Sequence, residues 1–223
     1  MSLAIFDLDN TLIAGDSDHC WGEFLVERGV VDPVSFKEAN DQFYRDYQTG
    51  GLDIEAYLTF ALEPLTRFTM TELDELHRTF MREKIEPLRL PKAMALIDQH
   101  RRASDTLLII TATNSFITRP IATWLGVDNL LACDPEIIDG RYSGRTRNSP
   151  CFQHGKVTRL NEWLDNAGTS MTDSYFYSDS ANDIPLLEAV SHPVAVDPCP
   201  RLRHHAQERG WPIISLRSNE ASS

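Results

Sequence analysis

Five short apolar runs separated by amphipathic stretches set the first constraint on this chain. They read "LAIFDLD" (3–9), "TLLIITAT" (106–113), "YFYSDS" (175–180), "PVAVDP" (193–198) and "WPIISL" (211–216). Most show little polar alternation, so both faces of each strand must be covered, as in a parallel sheet with helices on either side. The intervening segments carry helical spacing: "PKAMALIDQHRRA" (91–103), "FITRPIATWLG" (116–126) with Gly126 as its stop, "GKVTRLNEWLDNAG" (155–168), "ANDIPLLEAV" (181–190) and "LRHHAQERG" (202–210). In the third of these Val157, Leu160 and Leu164 form one stripe. The expected fold is therefore α/β, a doubly wound, Rossmann-like parallel sheet that binds ligands at the carboxyl ends of its strands.

Residues 15–88 break the alternation. They hold four helical stretches, marked by Phe24 and Leu25, by Phe36, Phe43, Tyr44 and Tyr47, by Ile54, Tyr57, Leu58 and Ala61, and by Leu73, Leu76 and Phe80. The fourth is expected to open on "TELD" (71–74) as a capping box. This reads as an all-helical insertion whose aromatic residues build its own core, leaving 1–14 and 89–223 for the sheet. "EIIDGRYSGRT" (136–146) alternates around Asp139-Gly140, a hairpin signal, and is expected as a hairpin appended to the sheet. The closing "RSNEASS" is expected as a frayed tail.

Composition narrows the partners. The 223 residues carry a formal net charge of −12, which disfavours nucleic acid and anionic membrane surfaces but leaves room for a small anionic ligand at a local cationic site. No apolar run reaches the length of a membrane span. Cys20, Cys133, Cys151 and Cys199 show no paired spacing, and "CFQH" (151–154) lacks a second pair, so free thiols and no zinc site are expected. With a strand starting near Leu3, no signal peptide is expected ahead of it, and the expected location is the cytoplasm.

The first strand runs into Asp7 and Asp9, with Thr11, Asp16 and Asp18 close behind. The second ends at Thr111, followed by Ala112, Thr113 and Asn114. Lys156 opens a helix, and the third long strand ends in Asp179, with Asn182 and Asp183 just beyond. Each has an ordinary reading as turn former, helix cap or surface lysine. Together they fall at the strand ends that a parallel sheet brings to one edge. Converging carboxylates are tolerated when a divalent cation sits among them, and carboxylates with room for water suit Mg²⁺. A lysine and hydroxyls opposite would grip phosphate oxygens. Phosphoryl transfer then needs an in-line nucleophile, for which aspartate serves, and a second carboxyl to move protons.

"FDLDNT", the Thr111 closing "LLIIT", "GK" before an amphipathic helix and "SDSANDIPLL" together resemble the four motifs of the haloacid-dehalogenase superfamily. The insertion resembles that superfamily's C1-type cap and places the chain near the phosphoserine-phosphatase-like branch, subfamily IB. The resemblance implies Asp7 as nucleophile and Asp9 as general acid/base. It implies Mg²⁺ held by the Asp7 carboxylate, the Asp9 carbonyl and Asp179, with Asp183 in support, and phosphate held by Thr111 and Lys156. Dehalogenases of the superfamily lack the second aspartate, so Asp9 favours phosphate-ester hydrolysis.

For the substrate, "TATNSF" (111–116) departs from the "SGGF" of phosphoserine phosphatases, and Asp16 stands where those enzymes place a glutamate. "DSDHCWGEFL", "TATNSFITRPIA" and "GKVTRLNEWL" resemble bacterial members classed as histidinol-phosphate phosphatases. That resemblance implies L-histidinol phosphate and a place in histidine biosynthesis, with Asp16 and Asp18 near the amine, Trp21 and Tyr44 near the ring, and Ala112, Asn114 and Asn182 among the substrate contacts. The alternative that Asp16 and Asp18 merely begin a helix near its positive end stays open. So do phosphoserine or another small phosphomonoester as substrate, a phosphomutase, and a non-catalytic phosphate-binding module. A receiver domain fits poorly, because its phosphorylated aspartate follows the third strand. The expected state is a monomer or a homodimer.

Overall fold

The computed structural model describes residues 2–217. Strand β1 (Leu3–Phe6) is followed by four helices, α1 (Ser17–Glu27), α2 (Ser35–Thr49), α3 (Ile54–Leu62) and α4 (Met70–Phe80). Helix α5 (Pro91–Arg102) returns the chain to β2 (Thr106–Asn114), α6 (Ser115–Leu125) and β3 (Asn129–Cys133). Strands β4 (Pro135–Ile138) and β5 (Arg141–Thr146) precede α7 (His154–Ala167) and β6 (Ser174–Ser178). A short α8 (Ile184–Leu187), β7 (His192–Val196), α9 (Pro200–Arg209) and β8 (Ile213–Ile214) complete the elements.

Six strands pair in parallel in the order β3-β2-β1-β6-β7-β8. Chain order reverses direction between β1 and β6, and such a switch point opens a crevice at the strand ends. The strand residues alternate between two apolar layers. Ala4, Phe6 and Ile109 pack on one face with Ile97 of α5, Ile117 and Ile121 of α6 and Trp21 and Phe24 of α1. Leu3, Ile5, Leu108, Ile110 and Phe176 pack on the other with Leu160 and Leu164 of α7 and Leu202 and Ala206 of α9. Burial on both faces explains the unbroken apolar runs of the sequence.

Four features differ from the sequence reading. Strand β3, "NLLAC", was not expected, because it follows the Gly126 stop without a turn signature of its own. The final strand contracts to Ile213–Ile214. The capping box is formed by Thr69 and Glu72, two residues ahead of the expected start, because Thr69 is the residue with extended φ/ψ at the helix mouth. The hairpin is real, with Asp139 and Gly140 both at positive φ as a two-residue primed turn requires, but it is not appended to the main sheet. It forms a separate two-stranded sheet against α3 and the short turn Glu63–Arg67, with Arg141 donating to the carbonyl of Phe68.

All four cysteines are free thiols, Cys133 and Cys151 buried. Among the described residues no helix is long and apolar enough to cross a membrane. The expected tail beyond Arg217 lies outside the described residues.

Candidate active site

The loop after β1 is wound tightly enough to turn its carboxylates in one direction. The carbonyl of Leu8 accepts from Leu12 at 2.9 Å, and Asn10 takes a positive φ of 58°, a conformation asparagine tolerates better than most residues. The Asp7 amide donates to the carbonyl of Tyr177 at 2.9 Å, tying this loop to the end of β6. Asp7 and Asp9 are both buried.

Lys156 reaches the same spot from the first turn of α7. It is 1% exposed, and its ammonium donates to Asp7 Oδ1 and to the Asp183 carboxylate, each at 2.8 Å. Gly155 before it is obligatory. A Cβ there would stand 2.1 Å from the carbonyl oxygen of Pro150, so the turn that aims Lys156 inward has no space for a side chain. Burial works against the ammonium, but the contacts with Asp183 and Asp7 outweigh it and hold Lys156 above the ordinary lysine range. Ser178 donates to Asp183 at 2.7 Å. Thr11 lies 3.2 Å from Asp179 Oδ1 and 3.5 Å from Asp7 Oδ2, and it accepts the Asp179 amide at 3.1 Å.

Carboxylates outnumber cations here. Burial pushes Asp7 up to about 7, with Lys156 drawing it back and Asp183 and Asp9 adding to the rise. Asp179 stands well above the carboxylate range, first from burial and then from repulsion by Asp7 and Asp183. Asp9 is raised to about 6 by burial and by Asp16, although it accepts the Ser17 amide at 2.6 Å and the Thr113 hydroxyl at 2.8 Å.

Asp7, Asp9, Asp16, Asp18, Thr111 and Ala112 face one cleft that is partly open to solvent. His19 and Asn40, with Phe43, Tyr44, Tyr47 and Tyr57, complete its helical side. None of the described residues lining it is a lysine or an arginine. Asp16 is the N-cap of α1 and accepts the His19 amide at 2.8 Å. Burial raises both Asp16 and Asp18 to about 7, with the Tyr57 hydroxyl pulling Asp18 the other way.

Three expected contacts stand elsewhere. Asn182 does not line the cleft; its amide donates to the Tyr47 carbonyl at 3.0 Å, joining the loop after β6 to α2. Asn114 is engaged as the N-cap of α6, accepting the Ile117 amide. Trp21 is buried against Phe24, His77, Phe80 and Phe116, because its face of α1 points toward α4 and α6. Conversely, sequence reasoning assigned Tyr47 and Tyr57 to the insertion's core and overlooked His19, Asn40 and the Ser17 amide. The phenol tips on apolar stripes were the one available signal for the two tyrosines.

Aspartates and a buried lysine gathered at the switch point of an open parallel sheet, beneath inserted helices, define an α/β enzyme built to handle a phosphate ester. The chain belongs to the haloacid dehalogenase-like hydrolase family, whose pattern matches residues 4–188, and within it the chain is a phosphatase. It is 46% identical over 220 residues to a histidinol-phosphatase of Neisseria meningitidis serogroup C, covering 97% of this chain and 99% of that one. A solved structure of a protein of unknown function from Bordetella pertussis Tohama I superimposes with a TM-score of 0.91 at 46% identity, covering 96% of this chain and 98% of its own. A substrate-bound phosphoserine phosphatase shares the fold at a TM-score of 0.70 and 17% identity, covering 97% and 93% of the two chains.

Proposed function

We propose that this phosphatase hydrolyses L-histidinol phosphate in the cytoplasm, as a step of histidine biosynthesis, through a phosphorylated Asp7. The carrying observation is the lining of the cleft: four aspartates and several aromatic rings with neither lysine nor arginine among them. A substrate bearing an amine and an aromatic ring but no carboxylate suits such walls. The carboxylate of phosphoserine would face like charges without a cation opposite. The name of the Neisseria relative, similar over the whole length, supports the same reading.

The residues fit a hard divalent cation. Asp7 and Asp179 are held above their ordinary range by burial and mutual repulsion, with Lys156 engaged by Asp7 and Asp183. That pattern suits Mg²⁺, which takes few protein ligands and completes its shell with water and phosphate. The Asp7 and Asp179 carboxylates and the Asp9 carbonyl would hold it, with Asp183 fixed nearby by Lys156 and Ser178. When bound, Mg²⁺ supplies charge neutralisation for the phosphoryl oxygens.

The chain's own groups supply the rest. The Asp7 carboxylate attacks phosphorus as the ester P–O bond breaks, and Asp9 gives its proton to the departing oxygen. Asp9 then takes a proton from the water that attacks the acyl phosphate, releasing phosphate and restoring Asp7. A carboxyl raised to about 6 is suited to both proton transfers near neutrality. Lys156 and the Thr111 hydroxyl would hold the phosphate through charge-assisted bonds.

Phosphate release from histidinol phosphate, phosphoserine and p-nitrophenyl phosphate, with Mg²⁺ and with EDTA, tests this. Histidinol phosphate should be preferred and its turnover lost with EDTA; equal turnover of phosphoserine would overturn the substrate assignment. Asp7→Asn should abolish turnover while the fold persists, and an active variant would remove Asp7 as nucleophile.

A further inference from the structure

We propose that Asp18 selects the substrate by receiving its ammonium group, and that Asp16 serves the fold. This rests on the reading of the cleft as a site for an amine-bearing phosphomonoester. Four aspartates line the cleft, and in three of them no fully buried carboxylate oxygen lacks a partner. Asp7 accepts from Lys156, Asp9 from the Ser17 amide and the Thr113 hydroxyl, and Asp16 from the His19 amide at the mouth of α1.

Asp18 differs from the others. It is 6% exposed, it lines the cleft, and its Oδ2 is buried with no hydrogen-bond partner. A buried carboxylate oxygen without a donor is costly, so such an atom is retained where a donor arrives from outside. The described walls hold no lysine or arginine to supply one. An ammonium, with three N–H donors and a positive charge, meets both needs. Tyr57 of α3 lines the same wall, its phenol acting on the Asp18 carboxylate as a positioning group. The phosphate end of the ligand is taken by Asp7, Thr111 and Lys156, so recognition of the amine falls to the inserted helices. The class implied is a phosphomonoester of an amino alcohol whose amine is not accompanied by a carboxylate.

The measurement is the ratio of kcat/KM for an amine-bearing substrate to that for p-nitrophenyl phosphate, with histidinol phosphate and phosphoethanolamine as the two amines. Asp18→Asn should lower that ratio about 10- to 100-fold, the loss of one charge-assisted bond. Asp16→Ala, which removes the helix cap, should preserve the ratio while lowering the melting temperature. Asp18→Ser provides a smaller side chain should the amide disturb packing, and it should lower the ratio likewise. If the wild type prefers the amines and both Asp18 variants keep that preference, the Asp18 assignment is overturned and the amine reading stands. A wild type that does not prefer amines overturns both.

Discussion

Replacing Lys156 by methionine keeps the length of the side chain and removes its charge, which makes it a direct test of how the carboxylate cluster is held. The ammonium is 1% exposed and makes 2.8 Å contacts with Asp7 and Asp183, both nearly inaccessible. Removing one partner from a buried ion pair costs about 3–5 kcal/mol, because the remaining charge is left uncompensated. For a chain of this length each kcal/mol moves the melting temperature by about 2–4 °C, so a fall of about 6–20 °C is expected. The Asp7 share has a defined pH dependence. With Lys156 present Asp7 titrates at about 7, and without it the folded value moves higher. Below pH 7 the carboxyl is protonated in both proteins and this share vanishes. Above pH 7 the variant's native state retains more protons than the wild type's, so its stability falls more steeply. Thermal melts of both proteins in EDTA at pH 6 and pH 8 measure this. A variant melting within about 2 °C of wild type at both values, or a gap that narrows as pH rises, would refute the argument.

The wild type without metal should itself lose stability as pH rises from about 4 to about 7. Asp9, Asp16 and Asp18 have folded values of about 6, 7 and 7, above their unfolded values, so the native state binds more protons throughout that window; urea melts in EDTA across it should show the decline, and a flat profile would contradict it. Gly22→Ala should cost about 1–3 kcal/mol, because the new Cβ would stand 2.5 Å from the Asn40 amide where α1 meets α2; urea melts against wild type measure it.

The convergence of the carboxylates, Thr111 and Lys156 was legible because its parts are local. Asp7 and Asp9 follow an apolar strand directly, Thr111 lies near the end of another, and Gly155-Lys156 opens a helix, so strand-end position and residue type together predict where they meet. Substrate-side contacts were less legible. Asn182 and Asn114 have amides suited to a ligand, but α2 claims the Asn182 nitrogen and the first turn of α6 the Asn114 oxygen. Trp21 was suited to an imidazole, but the rotation of α1 turns it into the apolar layer.

The order of apolar runs, the helical insertion after the first of them and the motif residues at strand ends are all determined by the sequence alone, because periodicity and turn chemistry act over a few residues. Strand β3 and the docking of the hairpin on the insertion depended on which apolar surfaces were left to cover. So did the division of labour between Asp16 and Asp18. Two residues apart, they share a chemistry and a helix, and only the folded chain gives one a donor and leaves an oxygen of the other without one. A hydrogen-bond partner distant in sequence exists only once the backbone has brought it near.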